Sequence, residues 1–289
     1  MKIVVTGTRG IPGIQGGVET HCEELYPLIA DKQHEIIVVR RPYYAVDHSV
    51  KVYKQVIIKD IRVLRNKHLE AFIHTFLAVL YARKVKADIV HIHAEGPAFF
   101  AWLPKMFGKK VIVTIHGLDW QREKWKSGFG SKFIHQGEKN AVKYADEIIV
   151  LSKGVQDYFQ KEYGRKTVII PNGVNRPEVV DDDLITKRFD LHKNEYFLFL
   201  GRLVPEKGIR YLVEAFKEVK TDKKLVIAGG ASDTDEFTQE LKKLAESDRR
   251  IIFTGFVQGK TLDELYSNAY VYVLPSDLEG MPLSLLEAM

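Results

Sequence analysis

The sequence predicts an α/β protein built from two doubly wound parallel-sheet domains. Apolar strand cores alternate with amphipathic helical runs, and the alternation restarts after Asn172. The stretch 173–195 is acidic and poor in strand signal, so it reads as a connection. Such alternation is typical of parallel sheets covered by helices on both faces. We place the domains at 1–173 and 174–289 and expect ligands in a cleft between them, at the carboxyl ends of the strands.

The predicted elements follow that alternation along the chain. Strands of the first domain are predicted at 2–7, 35–41, 52–59, 88–95, 109–117, 147–152 and 167–173. Its clearest helical runs are 18–32 and 132–146. In the second domain the predicted strands are 196–202, 224–230, 250–255 and 270–276, and the helical runs are 210–220, 236–247 and 262–269.

Composition is that of an ordinary soluble globular protein. Hydrophobic residues make up 45% of the chain and charged residues 28%. Cys22 is the only cysteine, which excludes an internal disulfide and fits a reducing compartment. No signal-peptide apolar region follows Met1, and the apolar stretch 71–82 is too short to span a bilayer. We therefore expect a cytoplasmic protein, with possible peripheral contact at the inner face of the cytoplasmic membrane.

The charge is unevenly distributed. Residues 1–172 hold 27 Lys+Arg and 17 Asp+Glu, a net charge of +10, whereas residues 173–289 hold 16 and 21, a net charge of −5. The sum matches the net charge of +5 for the chain. The basic first half indicates either an anionic partner or a solvated basic surface.

A glycine-rich turn follows the first strand, in the sequence TGTRGIPGIQGGVE. Its glycines are Gly7, Gly10, Gly13, Gly16 and Gly17. Such a turn brings backbone close to a phosphate, as in dinucleotide-binding proteins. Pro12 inside the turn, a helix start only near Val18 and a next strand ending in arginines argue against that class. No tyrosine has a lysine four residues on, as nucleotide-sugar epimerases require.

The second half carries two polar loops after predicted strands. GRLVPEKG (201–208) offers Arg202 and Lys207, two cations in a glycine-flanked loop. LPSDLEGMPLSLLEAM (274–289) carries Glu279 and Glu287. Fixed cations of this kind stabilise the charge that develops on a departing diphosphate. A helix start near Pro282 would add backbone N–H groups, and Glu287 would lie about two turns along it.

These loops resemble those of the retaining family 4 glycosyltransferases, also called glycosyl transferases group 1, which have the GT-B fold of two Rossmann-like domains. Segments of the first half agree: GGVE (16–19), DIVHIHAEGP (88–97), TIHG (114–117) and IPNGV (170–174). The opening resembles the branch described as rhamnosyltransferase-like or cell-surface polysaccharide enzymes. The resemblance spans essentially the whole chain.

The resemblance implies sugar transfer from a nucleotide-diphosphate donor to a glycan or lipid-linked acceptor, in cell-surface polysaccharide synthesis of the bacterial type. The acceptor hydroxyl would attack the face that the diphosphate leaves, and the departing phosphate would help remove the proton. No protein nucleophile, metal ion, cofactor or nucleic acid is implied. The partners would be the donor and the acceptor. The basic and apolar stretch 59–86 adds a possible peripheral contact with an anionic membrane.

The resemblance also implies residue roles. Arg202 and Lys207 would hold the diphosphate, Glu279 the donor-sugar hydroxyls and Glu287 the ribose, while His116 would contact the sugar. The glycine turn would face the diphosphate across the cleft. The predicted catalytic residues are His116, Glu279, Arg202 and Lys207. The predicted nucleotide-sugar contacts are Gly16, Gly17, Arg202, Lys207, Val257, Glu279, Gly280, Met281, Pro282, Leu283 and Glu287.

Several residues keep two readings. The pair His91 and His93 could ligate a metal or serve packing and cleft polarity, and no third ligand of comparable quality is apparent in the sequence. Glu19 could complement the first turn of a helix or contact the acceptor. Trp120 and Trp125 could stack on a sugar or pack as ordinary apolar residues.

Three further alternatives concern the chain as a whole. The stretch 59–86 is either a core helix with basic flanks or a helix lying on a membrane that carries a lipid-linked acceptor. A nicotinamide-dependent epimerase or dehydrogenase and a non-catalytic binding protein remain as rival functions. Finally, the sequence stops inside the helix that carries Glu287, where family members continue. We therefore expect this 289-residue piece to bind donor poorly and to turn over slowly or not at all.

Overall fold

The computed structural model describes residues 1–30, 34–64, 66, 69–118, 120, 129–176, 178–230 and 236–289. The chain divides into two compact units, Met1–Asn172 and Gly173–Met289. This division falls one residue before the boundary that we placed between residues 173 and 174. Within the described ranges, no helix is both long enough and apolar enough to cross a membrane.

Unit 1 contains a mostly parallel sheet in the order β3-β4-β2-β1-β5-β6-β7-β8. Its strands are β1 (Lys2–Thr6), β2 (Glu35–Arg40), β3 (Val52–Tyr53), β4 (Val56–Asp60), β5 (Ile89–His93), β6 (Lys110–Ile115), β7 (Glu147–Val150) and β8 (Val168–Ile169). The single strand predicted at 52–59 is wrong. Lys54 and Gln55 adopt positive φ values of 44° and 70°, which turn the chain, and β3 pairs antiparallel with β4.

The helices of unit 1 cover both faces of this sheet. They are α1 (Gly17–Ala30), α2 (Glu70–Lys84), α3 (Glu95–Ala98), α4 (Trp102–Met106), α5 (Phe129–Tyr144) and α6 (Lys153–Tyr163). Each face of the sheet has its own hydrophobic cluster. Neighbouring residues of β1 point to different faces, so Val4 belongs to one cluster and Val5 to the other. Helix α1 packs on the second cluster through Cys22, Tyr26 and Ala30, which recur every four residues and so share one helix face.

Unit 2 contains a smaller parallel sheet in the order β11-β10-β9-β12. Its strands are β9 (Tyr196–Leu200), β10 (Lys224–Ala228), β11 (Ile251–Gly255) and β12 (Val271–Tyr272). The helices are α7 (Asp183–Phe189), α8 (Ile209–Glu218), α9 (Glu236–Ala245), α10 (Lys260–Asn268) and α11 (Leu283–Ala288).

The reading of 173–195 as a connection misses helix α7, which belongs to the body of unit 2. The backbone N–H groups of Leu184 and Ile185 donate to the Glu264 carboxylate at 2.6 and 3.0 Å. Ile185 itself is fully buried. A helix as short as α7 depends on such tertiary contacts, which a local sequence pattern does not contain.

Strand order fixes where polar loops collect in each unit. In unit 1 the direction in which successive strands are added to the sheet reverses between β1 and β5. The carboxyl ends of β1, β5 and β6 therefore lie side by side. In unit 2 the direction reverses between β9 and β12, which brings together the loops that follow those two strands. Open α/β sheets bind ligands at such switch points. Both predicted clusters of functional residues therefore start from a switch point.

Candidate functional sites

The glycine turn of unit 1 is shaped by close packing. Gly7 has a φ of +91°, and a Cβ there would lie 2.1 Å from the carbonyl oxygen of His93 at the end of β5. Gly10 has a φ of +119°, and its Cβ would lie 2.4 Å from Cγ of Arg40 in β2. Only glycine fits positions that combine positive φ with such contacts.

Two carboxylates hold the turn from helix α1. One Glu19 oxygen accepts hydrogen bonds from the Thr8 hydroxyl at 3.0 Å and from the Arg9 N–H at 2.9 Å. Glu23 accepts from the Gly13 N–H at 2.9 Å. Glu19 is buried, so its observed contacts position the turn, while its contact with an acceptor stays a prediction.

The two predicted close-approach glycines differ. Gly16 has a φ of +144°, and a Cβ there would lie 2.0 Å from the second Glu19 oxygen, so the backbone conformation of the turn itself favours glycine. Gly17 is exposed, and nothing lies within 4 Å of a Cβ placed there. The space needed for a ligand is therefore present at Gly17.

The end of β2 holds a buried cation. Arg40 is fully buried, and its Nε and Nη2 atoms donate to the Asp60 carboxylate at 2.7 and 3.2 Å. It also donates to the carbonyl oxygens of Asp47 and Val50. A dinucleotide-binding protein would carry an acid near this strand end to bind the ribose. The paired arginine does not fit that role.

A histidine cluster lies at the switch point of unit 1. Nδ1 of His93, at the end of β5, lies 2.9 Å from Nε2 of His116, which follows β6. The ring of His21, in the first turns of α1, lies 5.8 Å from that of His93 and 5.1 Å from that of His116 between centroids. His93 is buried, whereas His21 and His116 are half-buried. We call these three residues the histidine cluster.

A chain of hydrogen bonds extends from the histidine cluster into the core. The Tyr26 hydroxyl lies 2.6 Å from Nε2 of His93 and 2.8 Å from Nδ1 of His91. Nε2 of His91 lies 2.8 Å from the hydroxyl of Thr114. Cys22, one turn before Tyr26, places its Sγ 3.7 Å from Nε2 of His93. Both ring nitrogens of His91 and of His93 therefore have hydrogen-bond partners.

Burial keeps these imidazoles uncharged. It lowers the pKa of His91 to about 3 and that of His93 well below its usual value. Burial also lowers the pKa of His21, while a hydrogen bond with Asn172 opposes that shift. Desolvation penalises the charged form of histidine, so neutral rings are favoured near neutral pH.

The structure answers the question left by the HxH pair. The prediction that a third ligand is missing is wrong for His93. One ring nitrogen of His21 and one of His116 each lie within 4.8 Å of a ring nitrogen of His93. His91 serves the hydrogen-bonded chain instead. The sequence signal for His21 was its place just after the glycine turn, where α1 starts beside the switch point.

The charged residues of unit 2 meet between two loops. Lys207 Nζ donates to a Glu279 carboxylate oxygen, and the two side chains are 16% and 24% exposed. The Asp277 N–H donates to the Glu206 carbonyl oxygen at 3.0 Å and joins the loops. At Gly208, with a φ of +67°, a Cβ would lie 2.0 Å from the Pro275 carbonyl oxygen. We call Lys207 and Glu279 the charged pair.

The remaining predicted donor contacts of unit 2 occupy different environments. Arg202 is exposed, two residues after β9. Val257 is buried in the core beside Leu265, so only its backbone could reach a nucleotide. Gly280, Met281 and Pro282 form the turn before α11, which begins at Leu283.

Glu287 is engaged by a tyrosine. Its carboxylate accepts a hydrogen bond from the Tyr266 hydroxyl at 2.9 Å. Burial raises the pKa of Glu287, and the Tyr266 hydrogen bond partly offsets that effect. Glu287 lies four residues after Leu283, about one turn into α11 and not the predicted two. Its contact with a ribose stays a prediction.

The predicted aromatic acceptor loop is partly described. Trp120 stacks on His135, with centroids 5.0 Å apart and rings inclined by 29°, and lies 6.0 Å from Tyr158. These contacts give Trp120 packing partners. Trp125 lies outside the described residues.

Sequence comparison identifies the family. The sequence model described as Glycosyltransferase Family 4 matches residues 15–176, and the model described as Glycosyl transferases group 1 matches residues 181–289. The chain belongs to glycosyltransferase family 4. It is therefore a glycosyltransferase, and the nicotinamide-dependent alternative is set aside.

Curated relatives agree with this assignment. The uncharacterized glycosyltransferase MJ1607 of Methanocaldococcus jannaschii is 27% identical over 312 residues, which covers all of this chain and 78% of that protein. The Escherichia coli UDP-Gal:alpha-D-GlcNAc-diphosphoundecaprenol alpha-1,3-galactosyltransferase is 30% identical over 226 residues. That alignment covers 71% of this chain and 56% of the galactosyltransferase.

Solved structures establish the GT-B fold of the enzyme. Sucrose-phosphate synthase from Thermosynechococcus elongatus matches with a TM-score of 0.84 at 22% identity, covering 99% of this chain and 78% of that one. Anabaena HepE in complex with UDP and glucose matches with a TM-score of 0.79 at 16% identity, covering 100% and 78%. The predicted fold class is confirmed.

Proposed function

We propose that the enzyme transfers a sugar, with retention and without a metal cofactor, from a nucleoside-diphosphate donor to a glycan or lipid-linked acceptor of a cell-surface polysaccharide. The observation that carries this proposal is the charged pair of unit 2, with Arg202 on the same loop as Lys207. Cations and a carboxylate on adjoining loops suit a ligand that carries both phosphates and hydroxyls.

The charged pair suits a donor because its two members need different parts of the same molecule. An incoming diphosphate offers oxygens to Lys207 and Arg202, and a sugar offers hydroxyl donors to Glu279. The exchange pairs Lys207 with phosphate and gives Glu279 hydrogen bonds from hydroxyls, so the cost of separating Lys207 from Glu279 is offset. Cations fixed before reaction stabilise the charge that grows on the leaving diphosphate.

The ligands of similar proteins support the donor class. HepE structures contain UDP with glucose and UDP-glucose, and starch synthase IV of Arabidopsis thaliana was solved with ADP and acarbose. We therefore assign a nucleoside diphosphate as the leaving group. By the same proposal His116 contacts the donor sugar, Gly16 and Gly17 the diphosphate, and Glu287 the ribose.

A lipid-linked acceptor fits the surface of α2. The Escherichia coli relative is named for a diphosphoundecaprenol substrate. Helix α2 buries His74, Ala78 and Val79, while Phe72 and Phe76 remain 36% and 37% exposed. One face of the helix packs in the core, as expected of a core helix. Another face has partly exposed aromatic rings that suit contact with a membrane, so the two alternatives for the stretch 59–86 are compatible. We keep peripheral contact with an anionic membrane as part of the proposal.

Donor binding can be tested by thermal unfolding of the chain with UDP, ADP, dTDP and their sugars, in the presence of a chelator. The midpoint should rise with the concentration of the matching nucleotide, because a ligand that binds only the folded state stabilises it. Arg202→Ala and Lys207→Ala should abolish the rise, and Lys242→Ala, which alters an exposed cation of α9, should preserve it. A rise that survives both loop variants would refute the proposed site.

A further inference from the structure

We propose that His21, His93 and His116 bind a divalent cation of the Zn²⁺ class. Each histidine offers one ring nitrogen, and the three nitrogens lie within 4.8 Å of one another. Three imidazoles are a common ligand set for Zn²⁺ and Co²⁺, and they leave a fourth position for water. The cation takes no part in the transfer reaction, which needs no metal in the function that we propose.

The spacing of one pair of nitrogens already approaches that of a tetrahedral site. Ligands about 2.0–2.1 Å from Zn²⁺ lie about 3.4 Å apart in a tetrahedron. Nδ1 of His93 and Nε2 of His116 are 2.9 Å apart, so a cation between them needs a separation only slightly larger. His21 closes the set from α1, with its ring centroid 5.1 Å from that of His116.

The buried chain behind the cluster supplies the matching tautomers. If Nδ1 of His93 binds the cation, the proton of that ring lies on Nε2 and is donated to the Tyr26 oxygen. Tyr26 then donates to Nδ1 of His91, and Nε2–H of His91 donates to the hydroxyl of Thr114. Each donor meets an acceptor and no ring needs to lose a proton. Such a second shell is typical of histidine ligands.

The ligand chemistry selects among cations. Mg²⁺ and Ca²⁺ prefer oxygen ligands, and these three side chains offer only nitrogen. The Glu19 carboxylate is engaged by Thr8 and Arg9. The half-buried rings of His21 and His116 allow solvent to reach the site. A borderline cation such as Zn²⁺ is therefore the expected ligand, and Mg²⁺ is not.

Occupancy should inhibit transfer. This consequence rests on the proposed function, in which His116 contacts the donor sugar. A His116 ring held by a cation cannot also make that contact, so the cation and the donor compete. Zn²⁺ should therefore raise the apparent KM for the donor, and a chelator should restore it.

The binding test uses Co²⁺ and Zn²⁺ on the chelator-treated full chain. We expect one Co²⁺ per chain with the intense visible absorption of a tetrahedral site, which Zn²⁺ displaces and Mg²⁺ does not. His21→Ala and His21→Gln should weaken Zn²⁺ binding by about 100-fold or more, since removal of even an outer-shell partner costs about 10–100-fold. His48→Ala, at an exposed histidine of the same unit, should bind as the unaltered chain does.

The outcomes separate the site from the proposed function. Absence of the tetrahedral spectrum, or equal Zn²⁺ affinity in the His21 and His48 variants, would overturn the cation site. Zn²⁺ that displaces Co²⁺ from the tetrahedral site but does not compete with the donor would support the cation site and contradict the proposed sugar contact of His116. Thermal unfolding of each variant establishes that it is folded.

Discussion

The two switch points of this glycosyltransferase present opposite kinds of polar chemistry. At the switch point of unit 1, imidazole rings are joined by hydrogen bonds that continue through Tyr26 to the buried Thr114, and burial keeps His91 and His93 uncharged. At the switch point of unit 2, the side chains of Lys207 and Glu279 carry opposite charges and lie on loops. Both clusters lie at the carboxyl ends of parallel strands. The fold therefore determines where the polar residues collect, and the identity of those residues determines what they can bind.

The difference teaches what each cluster can contribute. Buried rings fixed at both nitrogens cannot reorient without breaking hydrogen bonds, so unit 1 offers a rigid surface with a defined proton pattern. A partly exposed charged pair costs little to separate when a ligand supplies new partners for both members. We therefore expect substitutions in unit 2 to act mainly on catalysis, and substitutions behind the unit 1 cluster to act on both stability and catalysis.

The largest expected effect is at Lys207. Lys207→Ala removes a cation facing the proposed diphosphate and should lower kcat/KM about 10²–10³-fold, the usual loss when one stabilising group is removed. The free energy of unfolding should fall by about 1–3 kcal/mol, because the mostly buried Glu279 carboxylate loses its charged partner. Steady-state transfer assays and denaturant unfolding measure the two quantities.

Two variants sharpen that result. Lys242→Ala removes an exposed cation of the same unit and should match the unaltered enzyme. Glu279→Gln tests the partner of Lys207, and it should also lower kcat/KM with little loss of stability. If Lys207→Ala transfers sugar as fast as Lys242→Ala, the charged pair has no part in the reaction.

A smaller and mixed effect is expected at Tyr26. Tyr26→Phe keeps the buried ring but leaves nitrogens of His91 and His93 without their hydroxyl partner. An unsatisfied buried polar group costs about 1–3 kcal/mol, so the free energy of unfolding should fall by about 2 kcal/mol. With His93 no longer fixed, His116 loses its orientation, and kcat should fall on the order of tenfold.

The control for Tyr26 is Tyr211→Phe, at a tyrosine that is 56% exposed in unit 2. It should leave both stability and kcat unchanged. A purely structural role for Tyr26 would lower stability alone, with kcat of the folded fraction preserved. That result would contradict the positioning of His116 through the hydrogen-bonded chain.

Much of this molecule could be predicted from its sequence because the information is local. Apolar runs gave the strands of both sheets, and the fold class followed from their alternation with helices. The loops around Lys207 and Glu279 stand in two continuous segments, and the structure brings these two side chains into contact. The roles assigned to them remain predictions.

The histidine cluster could not be assembled from the sequence in the same way. His21 and His93 are brought together by the β1–β5 pairing and the packing of α1 on the sheet, not by spacing along the chain. Tyr26 shows no sign of its role in its own helix, where its four-residue interval from Cys22 indicates only a buried face. Residues 54 and 55 likewise gave no strong turn signal, so the β3–β4 hairpin was read as one strand.

The smallest predicted effect is a loss of folding stability at acidic pH, and it again distinguishes the two units. His192 is the only histidine in residues 173–289, and it is half exposed, so buried histidines belong to unit 1. In α2, burial and the nearby Arg41 lower the pKa of His74 to about 4. His74 is neutral in the folded state at pH 5, whereas an unfolded histidine with a pKa of about 6.5 is protonated. The stability that depends on neutral His74 is therefore complete above pH 6.5 and is lost as the pH falls toward 4.

Between pH 7 and pH 5 this loss should reach about 2 kcal/mol, at 1.36 kcal/mol for each pKa unit. Tryptophan fluorescence reports it selectively, because all three tryptophans lie in unit 1. His74→Gln cannot titrate, so its unfolding free energy should fall less over this interval than that of the unaltered chain or of His48→Ala. Equal slopes in all three proteins would show that His74 is charged in the folded state or equally shifted in the unfolded one.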